Sequence, residues 1–394
     1  MRIGIDIINL ASGAISGVEQ YTLQILKEMI RQNPQDQFVL FALDYYFRGL
    51  GDRLDRVLRT SGKFLLEAPN VTLKKLSWPK IPLSLHLFWK VFDWPKADWF
   101  LGGADLFFQP APMLLPLSRR VPRVVTFHDL APAIYPEYFT LTSRLWHWQM
   151  NYPARAREAN RIIAVSESTK NDLVRLYGVD PEKIHVIYEG ASEAFDKAMT
   201  SGELERVRQK FKLPQKFLFY LGSLEPRKNV LSVIRALKYL KGQGFVKIKL
   251  VIAGSKKWLE TPVFEEIRSS GLGGEVIFLG FVPEEEKAAL FKLALAFIFP
   301  SFYEGFGLPV LEALRSNCPV VASQASSLPE IVQDSALLVD PYSQDSINQA
   351  VLALVKDSAL RGKLCSLGRK QASRFSWAKA AQETMRVLRE TKSL

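Results

Sequence analysis

The stretch Ser301-Phe-Tyr-Glu304-Gly-Phe-Gly307-Leu-Pro-Val-Leu-Glu312-Ala-Leu-Arg-Ser316 decides how the rest of the chain is read. Before it, 296–300 is an apolar run that predicts a buried strand, and from Pro309 onward the residues predict a helix with proline in its first turn. Between strand and helix, Gly305 and Gly307 allow close backbone approach to a ligand, and a helix start offers N–H groups and the positive end of its dipole. The backbone of Phe306, Gly307 and Leu308 therefore reads as an anion cradle. Glu304 enters the loop and Glu312 lies about one turn into the helix, so both carboxylates face one ligand laid across the helix mouth. Taken alone, they read equally well as solvated glutamates on an ordinary strand-loop-helix.

The complete string separates these readings. Glu304-x7-Glu312 around Gly-Phe-Gly-Leu-Pro resembles the signature of the family-4 retaining glycosyltransferases, the group 1 enzymes of the GT-B fold. The stretch from Thr126-Phe-His-Asp-Leu130 to Tyr135-Pro-Glu-Tyr-Phe139 is similar to bacterial mannosyl- and deoxyhexosyltransferases of surface polysaccharide synthesis.

The chain has 394 residues, enough for two domains that each bury a core. A composition of 48% hydrophobic and 23% charged residues is that of a globular protein. Two cysteines, Cys318 and Cys365, argue against a disulfide framework and suit a reducing compartment. The N-terminal Met1-Arg-Ile-Gly-Ile-Asp6 reads as a first strand rather than a signal peptide. No apolar run reaches the roughly 18 residues of a spanning helix. The expected location is cytoplasmic, with attachment to the inner face of a membrane as an open possibility. A formal charge of +12 suits phosphorylated ligands, anionic lipid or nucleic acid. No aromatic-basic nucleic-acid module is present, so nucleic acid is not expected as a partner.

Strand patterns at 2–8, 38–43, 71–76, 105–109, 123–127, 161–165 and 184–188 are mostly separated by helical segments. A second series follows at 217–221, 247–253, 276–279, 296–300, 319–322 and 336–339. Such alternation predicts an α/β protein of two doubly wound Rossmann-like domains, and a cleft between such domains is a usual ligand site. The segment from Gly190 to about Gln215 reads as a polar linker. The expected division is 1–195, 196–375 and a terminal helical segment 376–394, which the resemblance implies packs back on the first domain.

Glycines at 13 and 17 do not make Gly-x-Gly-x-x-Gly, so a dinucleotide site is poorly supported. Gly17, opening a helix, reads either as a tight turn or as a donor-phosphate contact. The strand at 123–127 delivers His128 and Asp129 to its carboxyl end, where open parallel sheets bind ligands. His128 alone reads as a turn cap; the resemblance places it near the transferred sugar. Between Trp78 and Phe100, aromatic and apolar residues (among them Leu83, Leu85, Leu87, Trp89 and Trp94) alternate with Lys80, Lys90 and Lys96. That mixture suits a membrane interface, core packing or an acceptor groove.

The second domain opens with Leu221-Gly-Ser-Leu-Glu-Pro-Arg227-Lys228-Asn229. Arg227 offers a planar fork and Lys228 a compact charge, a pair suited to a diphosphate. In the turn Gly280-Phe-Val282-Pro-Glu284-Glu-Glu-Lys287, the resemblance places the nucleotide base against Val282 and the residues at 284 and 287. A carboxylate at Glu284 matches the two N–H groups of guanine better than uracil's one, which leans toward a GDP-sugar.

The expected reaction is hexosyl transfer from a nucleotide diphosphate sugar, GDP-mannose as the leading choice, to a glycan or lipid-linked hydroxyl. Arg227 and Lys228 would stabilise the leaving diphosphate, Glu304 orient the sugar, and Glu312 accept from the ribose. Asp-x-Asp is absent, so no metal or other cofactor is expected. The resemblance implies retention of anomeric configuration. The alternatives are a non-catalytic carbohydrate- or membrane-binding subunit of the same fold, which the intact Arg227, Lys228, Glu304 and Glu312 argue against, and a nicotinamide oxidoreductase, which lacks its glycine fingerprint. A paired-carboxylate glycosidase would not need the phosphate cradle.

Overall fold

Apolar strands alternating with helices build two all-parallel sheets. The computed structural model describes residues 1–12, 16–44, 50–77, 85–254 and 260–393. The first sheet comprises β1 (Arg2–Asp6), β2 (Gln37–Asp44), β3 (Val71–Ser77), β4 (Leu106–Gln109), β5 (Arg123–Phe127), β6 (Arg161–Ala164) and β7 (Ile184–Val186), in the order β3-β2-β1-β4-β5-β6-β7. The second comprises β8 (Phe217–Leu221), β9 (Lys249–Ala253), β10 (Val276–Gly280), β11 (Ala296–Phe299), β12 (Val320–Ser323) and β13 (Leu337–Val339), in the order β10-β9-β8-β11-β12-β13. The inner strands β4, β5, β11 and β12 are buried throughout, which is why they read as unbroken apolar runs rather than alternating ones. In each sheet the winding reverses once, between β1 and β4 and between β8 and β11.

The doubly wound α/β class read from the sequence is the observed one, and its strand ends differ for local reasons. β1 stops at Asp6 because that carboxylate accepts the Ile8 N–H at 2.9 Å and turns the chain into a short 3-10 helix, Ile8–Ser12. β11 ends before Pro300 and β12 begins after Pro319, since proline has no N–H for a ladder.

Contacts divide the chain into two units, Met1–Glu189 with Trp377–Leu394, and Gly190–Ser376. The last helix, Trp377–Lys392, packs on Gly17–Gln32. There the Tyr21 and Trp377 rings meet edge-on at 5.8 Å, and Arg389 donates to Asn33 at 2.7 Å and Asp36 at 3.2 Å.

The polar segment after Gly190 is not a linker. Phe195 is buried and meets Phe291 edge-on at 6.1 Å, and Arg315 donates to the Ala191 carbonyl and to Asp196, so residues 190–196 belong to the second unit. A helix, Ser201–Lys210, follows, with Thr200 and Glu203 capping its start reciprocally.

The aromatic-basic stretch also divides. Trp89 is buried with Ala97 and Leu101 in the first unit's core, whereas Val91, Phe92, Trp94, Trp99 and Phe100 are exposed. Trp78, Lys80 and Leu83 lie outside the described residues, as does Gly13. Phe195→Ala should destabilise the second unit by about 3–5 kcal/mol, as expected for emptying a buried aromatic site. Urea denaturation would check this against Lys197→Ala, which alters only an exposed side chain and should shift the midpoint little.

Candidate active site

The reversal between β8 and β11 sets two loops side by side at the carboxyl ends of the strands. After β8 the chain makes a 3-10 turn, Pro226–Lys228, that carries both cations. Asn229 then takes a left-handed conformation (φ 54°) and donates its amide to the Pro300 carbonyl at 3.1 Å and the Pro341 carbonyl at 2.9 Å. From the other side, the Phe302 N–H donates to the Arg227 carbonyl at 2.9 Å. The basic turn is thus bolted to the loop after β11 through backbone groups.

Glu304 fills the space between them. Lys228 Nζ donates to both of its carboxylate oxygens, at 2.7 and 2.8 Å, and Arg227 Nη1 reaches Oε2 at 3.3 Å while also donating to the Tyr303 carbonyl at 2.6 Å. Glu225, 3.5 Å from Arg227 Nη2, is a second acidic neighbour. Burial pushes the Glu304 carboxyl up, but the charges of Lys228 and Arg227 and the hydrogen bonds from Lys228 outweigh it and hold the group below its ordinary value. Glu304 therefore remains an anion, paired with both cations.

The rest of the loop is positioned from β12. Ser326, itself left-handed (φ 53°), accepts the Glu304 N–H at 2.8 Å, and Ser327 Oγ donates to the carbonyls of Glu304 at 3.0 Å and Phe306 at 2.9 Å. Gly307 has φ 102°, and a Cβ there would stand 2.5 Å from Leu328 Cδ2, so only glycine fits. Leu308 begins the helix Leu308–Arg315, with Pro309 in its first turn. Another close crossing lies next to the basic turn: a Cβ on Gly254 would fall 2.1 Å from the Gly222 carbonyl oxygen.

Glu312 is buried on that helix, 3.5 Å from Lys287 Nζ. Lys287 belongs to the helix Glu284–Leu293, which follows β10 directly after buried Val282. Glu284, in its first turn, is partly exposed. One ion pair thereby joins the turn read as the base site to the helix of the glutamate signature.

Gly17 and His128 belong to the first unit. Gly17 opens the helix Gly17–Gln32, and at its mouth Glu19 accepts the Ser16 N–H at 3.0 Å and the Ser16 hydroxyl. The chain's own carboxylate thus caps the place read as a phosphate contact. His128 is committed at both nitrogens. Nε2 lies 2.7 Å from the Pro110 carbonyl, which only accepts, so Nε2 carries a proton; Nδ1 lies 3.3 Å from buried Glu189. Burial alone would lower the imidazole pKa, but Glu189 and the Pro110 carbonyl raise it overall. His128 thus stands at the carboxyl end of β5 with both ring nitrogens engaged.

Residues 202–371 match the family described as glycosyl transferases group 1, and residues 15–194 match glycosyltransferase family 4. The chain belongs to the group 1, family 4 glycosyltransferases. It is 26% identical over 372 residues to O-antigen chain mannosyltransferase B of Escherichia coli, covering 94% of this chain and 95% of that one. It is 29% identical over 262 residues to the serotype-specific mannosyltransferase WbdA of Escherichia coli, covering 66% of this chain and 32% of that longer protein. The fold is shared with the crystal structure of Anabaena HepE in complex with UDP and glucose, with a TM-score of 0.74, 21% identity, and coverage of 99% of this chain and 100% of that one.

In this glycosyltransferase the residues that sequence reading missed are those that hold the signature in place. Ser326 and Ser327 follow the apolar strand β12 in the run Ser-Gln-Ala-Ser-Ser, and their position past a strand's carboxyl end was the available signal. Glu189, three residues beyond β7, was the corresponding one for His128.

Because the folded carboxyl of Glu304 titrates below its ordinary value, the stability it contributes is fully present above about pH 4.3 and is lost as pH falls through the folded value. The stability advantage of the native protein over Glu304→Gln should therefore shrink on acidification below that point. Paired denaturation curves across pH test this, and an advantage that stayed constant would contradict the ion-pair assignment.

Proposed function

We propose that this glycosyltransferase is a retaining, metal-independent hexosyltransferase that moves mannose from GDP-mannose to a hydroxyl of a glycan or lipid-linked acceptor. The observation that carries the reading is the placement of Arg227 and Lys228 at the winding reversal, beside a buried carboxylate they can exchange for a diphosphate. Departure of the diphosphate builds negative charge on its oxygens, and fixed cations are most effective where charge develops. The helix mouth at Phe306, Gly307 and Leu308 adds N–H groups and a dipole end to the same place.

In this scheme the donor's phosphates take over Lys228 and Arg227. Glu304, released from them, accepts hydroxyls of the sugar, while Glu312 accepts from the ribose. Val282 and Glu284 receive the base, with Glu284 favouring guanine. The leaving phosphate takes the acceptor proton on the face it vacates, which gives retention. Charge neutralisation is assigned to Arg227 and Lys228, which the turn after β8 holds beside the helix mouth. The hexose assignment is supported by the two mannosyltransferase relatives, and the polysaccharide acceptor by the O-antigen enzyme that matches nearly end to end.

Thermal shift with GDP, UDP, ADP and NAD reads the nucleotide: GDP should stabilise most, and stabilisation by NAD alone would overturn transfer chemistry. Slow hydrolysis of a sugar-nucleotide panel then reads the donor without an acceptor. Lys228→Ala should weaken diphosphate binding and reduce turnover at saturating donor by about 100–1000-fold, the scale of losing one group that stabilises developing charge. Turnover within about twofold of wild type, below roughly 0.5 kcal/mol, would remove Lys228 from this role.

A further inference from the structure

The ion pair of Lys287 and Glu312 is held from several sides. Lys287 is the fourth residue of the helix Glu284–Leu293 and Glu312 the fifth of the helix Leu308–Arg315, with side chains 16% and 2% exposed. The 3-10 turn Glu193–Phe195 packs on both helices. From the first helix Lys292 donates to the Phe195 carbonyl at 3.2 Å; from the end of the second, Arg315 donates to Asp196 at 2.6 Å and to the Ala191 carbonyl. The Lys287 ammonium stands over the buried Phe195 ring, 5.6 Å from its centre, so an aromatic face as well as a carboxylate attracts the cation. Glu284 lies three residues before Lys287 on one helix, which places the two on the same face.

The separation of the charges differs from that at Glu304. Lys228 donates to both oxygens of Glu304, at 2.7 and 2.8 Å, so a hydroxyl reaches them only by displacing it. Lys287 stands 3.5 Å from Glu312 Oε1, beyond the roughly 2.7–2.9 Å of a charge-assisted bond. At that distance the ammonium supplies charge without drawing on the carboxylate's lone pairs. Charge is what burial opposes: Val310, Leu311, Ala313 and Leu314, which flank Glu312 in its helix, are buried and apolar, and such surroundings favour the protonated acid. The ionised form accepts at both oxygens, whereas the acid turns one of them into a donor. A ribose brings a vicinal pair of O–H groups that a carboxylate accepts together. In 2′-deoxyribose that pair is broken.

We propose that Lys287 is a positioning residue that makes the site select ribonucleoside over 2′-deoxyribonucleoside diphosphates, by keeping Glu312 ionised and directed at the ribose. The inference rests on the proposed function, in which Glu312 accepts from the ribose. It adds a boundary to the donor class: sugars carried on thymidine diphosphate, whose pentose is 2′-deoxyribose, are poor ligands. Calorimetric titration of the full-length protein with GDP, 2′-deoxy-GDP, UDP and 2′-deoxy-UDP reads the pentose whichever base binds. The wild type should hold the ribonucleotide about tenfold or more tighter than its deoxy counterpart, the scale of a hydrogen bond to a charged group. Lys287→Met, which keeps an apolar stem over Phe195, should bring the two within about threefold, weakening the ribonucleotide and leaving the deoxynucleotide nearly unchanged. Lys287→Arg should retain the preference, because it returns a cation. Should Lys287→Met fail to fold, Lys287→Gln removes the charge at similar length and carries the same expectation. No preference in the wild type, a preference that survives loss of the charge, or equal weakening of both nucleotides would overturn the inference and leave the transferase reading standing. A wild type that binds none of the four nucleotides would overturn that reading and the inference with it.

Discussion

A buried carboxylate without partners would not survive as an anion, and Glu304 has two cations on its carboxylate and two serines on its backbone. That requirement organises the second unit's ligand-facing edge. The charge partners come from the loop after β8, the carboxylate from the loop after β11, and the hydroxyls from the loop after β12. Three neighbouring strand ends are therefore tied through one residue. Removing the carboxylate alone would leave Arg227 and Lys228 mostly buried and short of a counter-charge, the arrangement in which broken ion pairs cost most.

The fold was largely legible because parallel strands covered on both sides write themselves as apolar runs, and each such run proved to be a strand. What failed was legibility where burial hangs on a single side chain. Around Phe195 the flanking residues are polar, and the helix after it buries Val207 alone, so neither hydrophobic periodicity nor mean composition marks it. The readable signal was the capping pair Thr200 and Glu203, which does not depend on burial. The aromatic stretch failed differently. Trp89 and Trp94 are equivalent in any hydropathy pattern, yet one fills the core and the other faces water, a distinction made only by tertiary packing.

The site was legible in its membership within the second unit and not in its pairing. Arg227, Lys228 and Glu304 sit on loops that the strand order brings together, so their residue types at those places were informative. That Glu304 would be held by the two cations depends on side-chain reach across 76 residues of chain. His128 shows the same limit: its place after β5 was readable, but the Pro110 carbonyl and Glu189 that occupy its nitrogens come from other strand ends.

The charge count around the basic turn constrains any anionic ligand. Arg227 and Lys228 are balanced by Glu304 and Glu225, so the cluster is close to neutral before anything binds. A diphosphate added to it unchanged would meet two carboxylates at close range in a partly desolvated pocket, where repulsion is poorly screened. Favourable entry requires that at least one carboxylate give up its cations, and Glu304 is the one whose bonds to Lys228 are the more direct. Once displaced, it needs hydrogen-bond donors, and a sugar carried on that same diphosphate supplies hydroxyls at the right end. Under the proposed function, a nucleoside diphosphate without a sugar engages the same two cations but brings no hydroxyls to that carboxylate. Under that proposal, the sugar-bearing diphosphate is the ligand that leaves both the cations and the displaced carboxylate with partners.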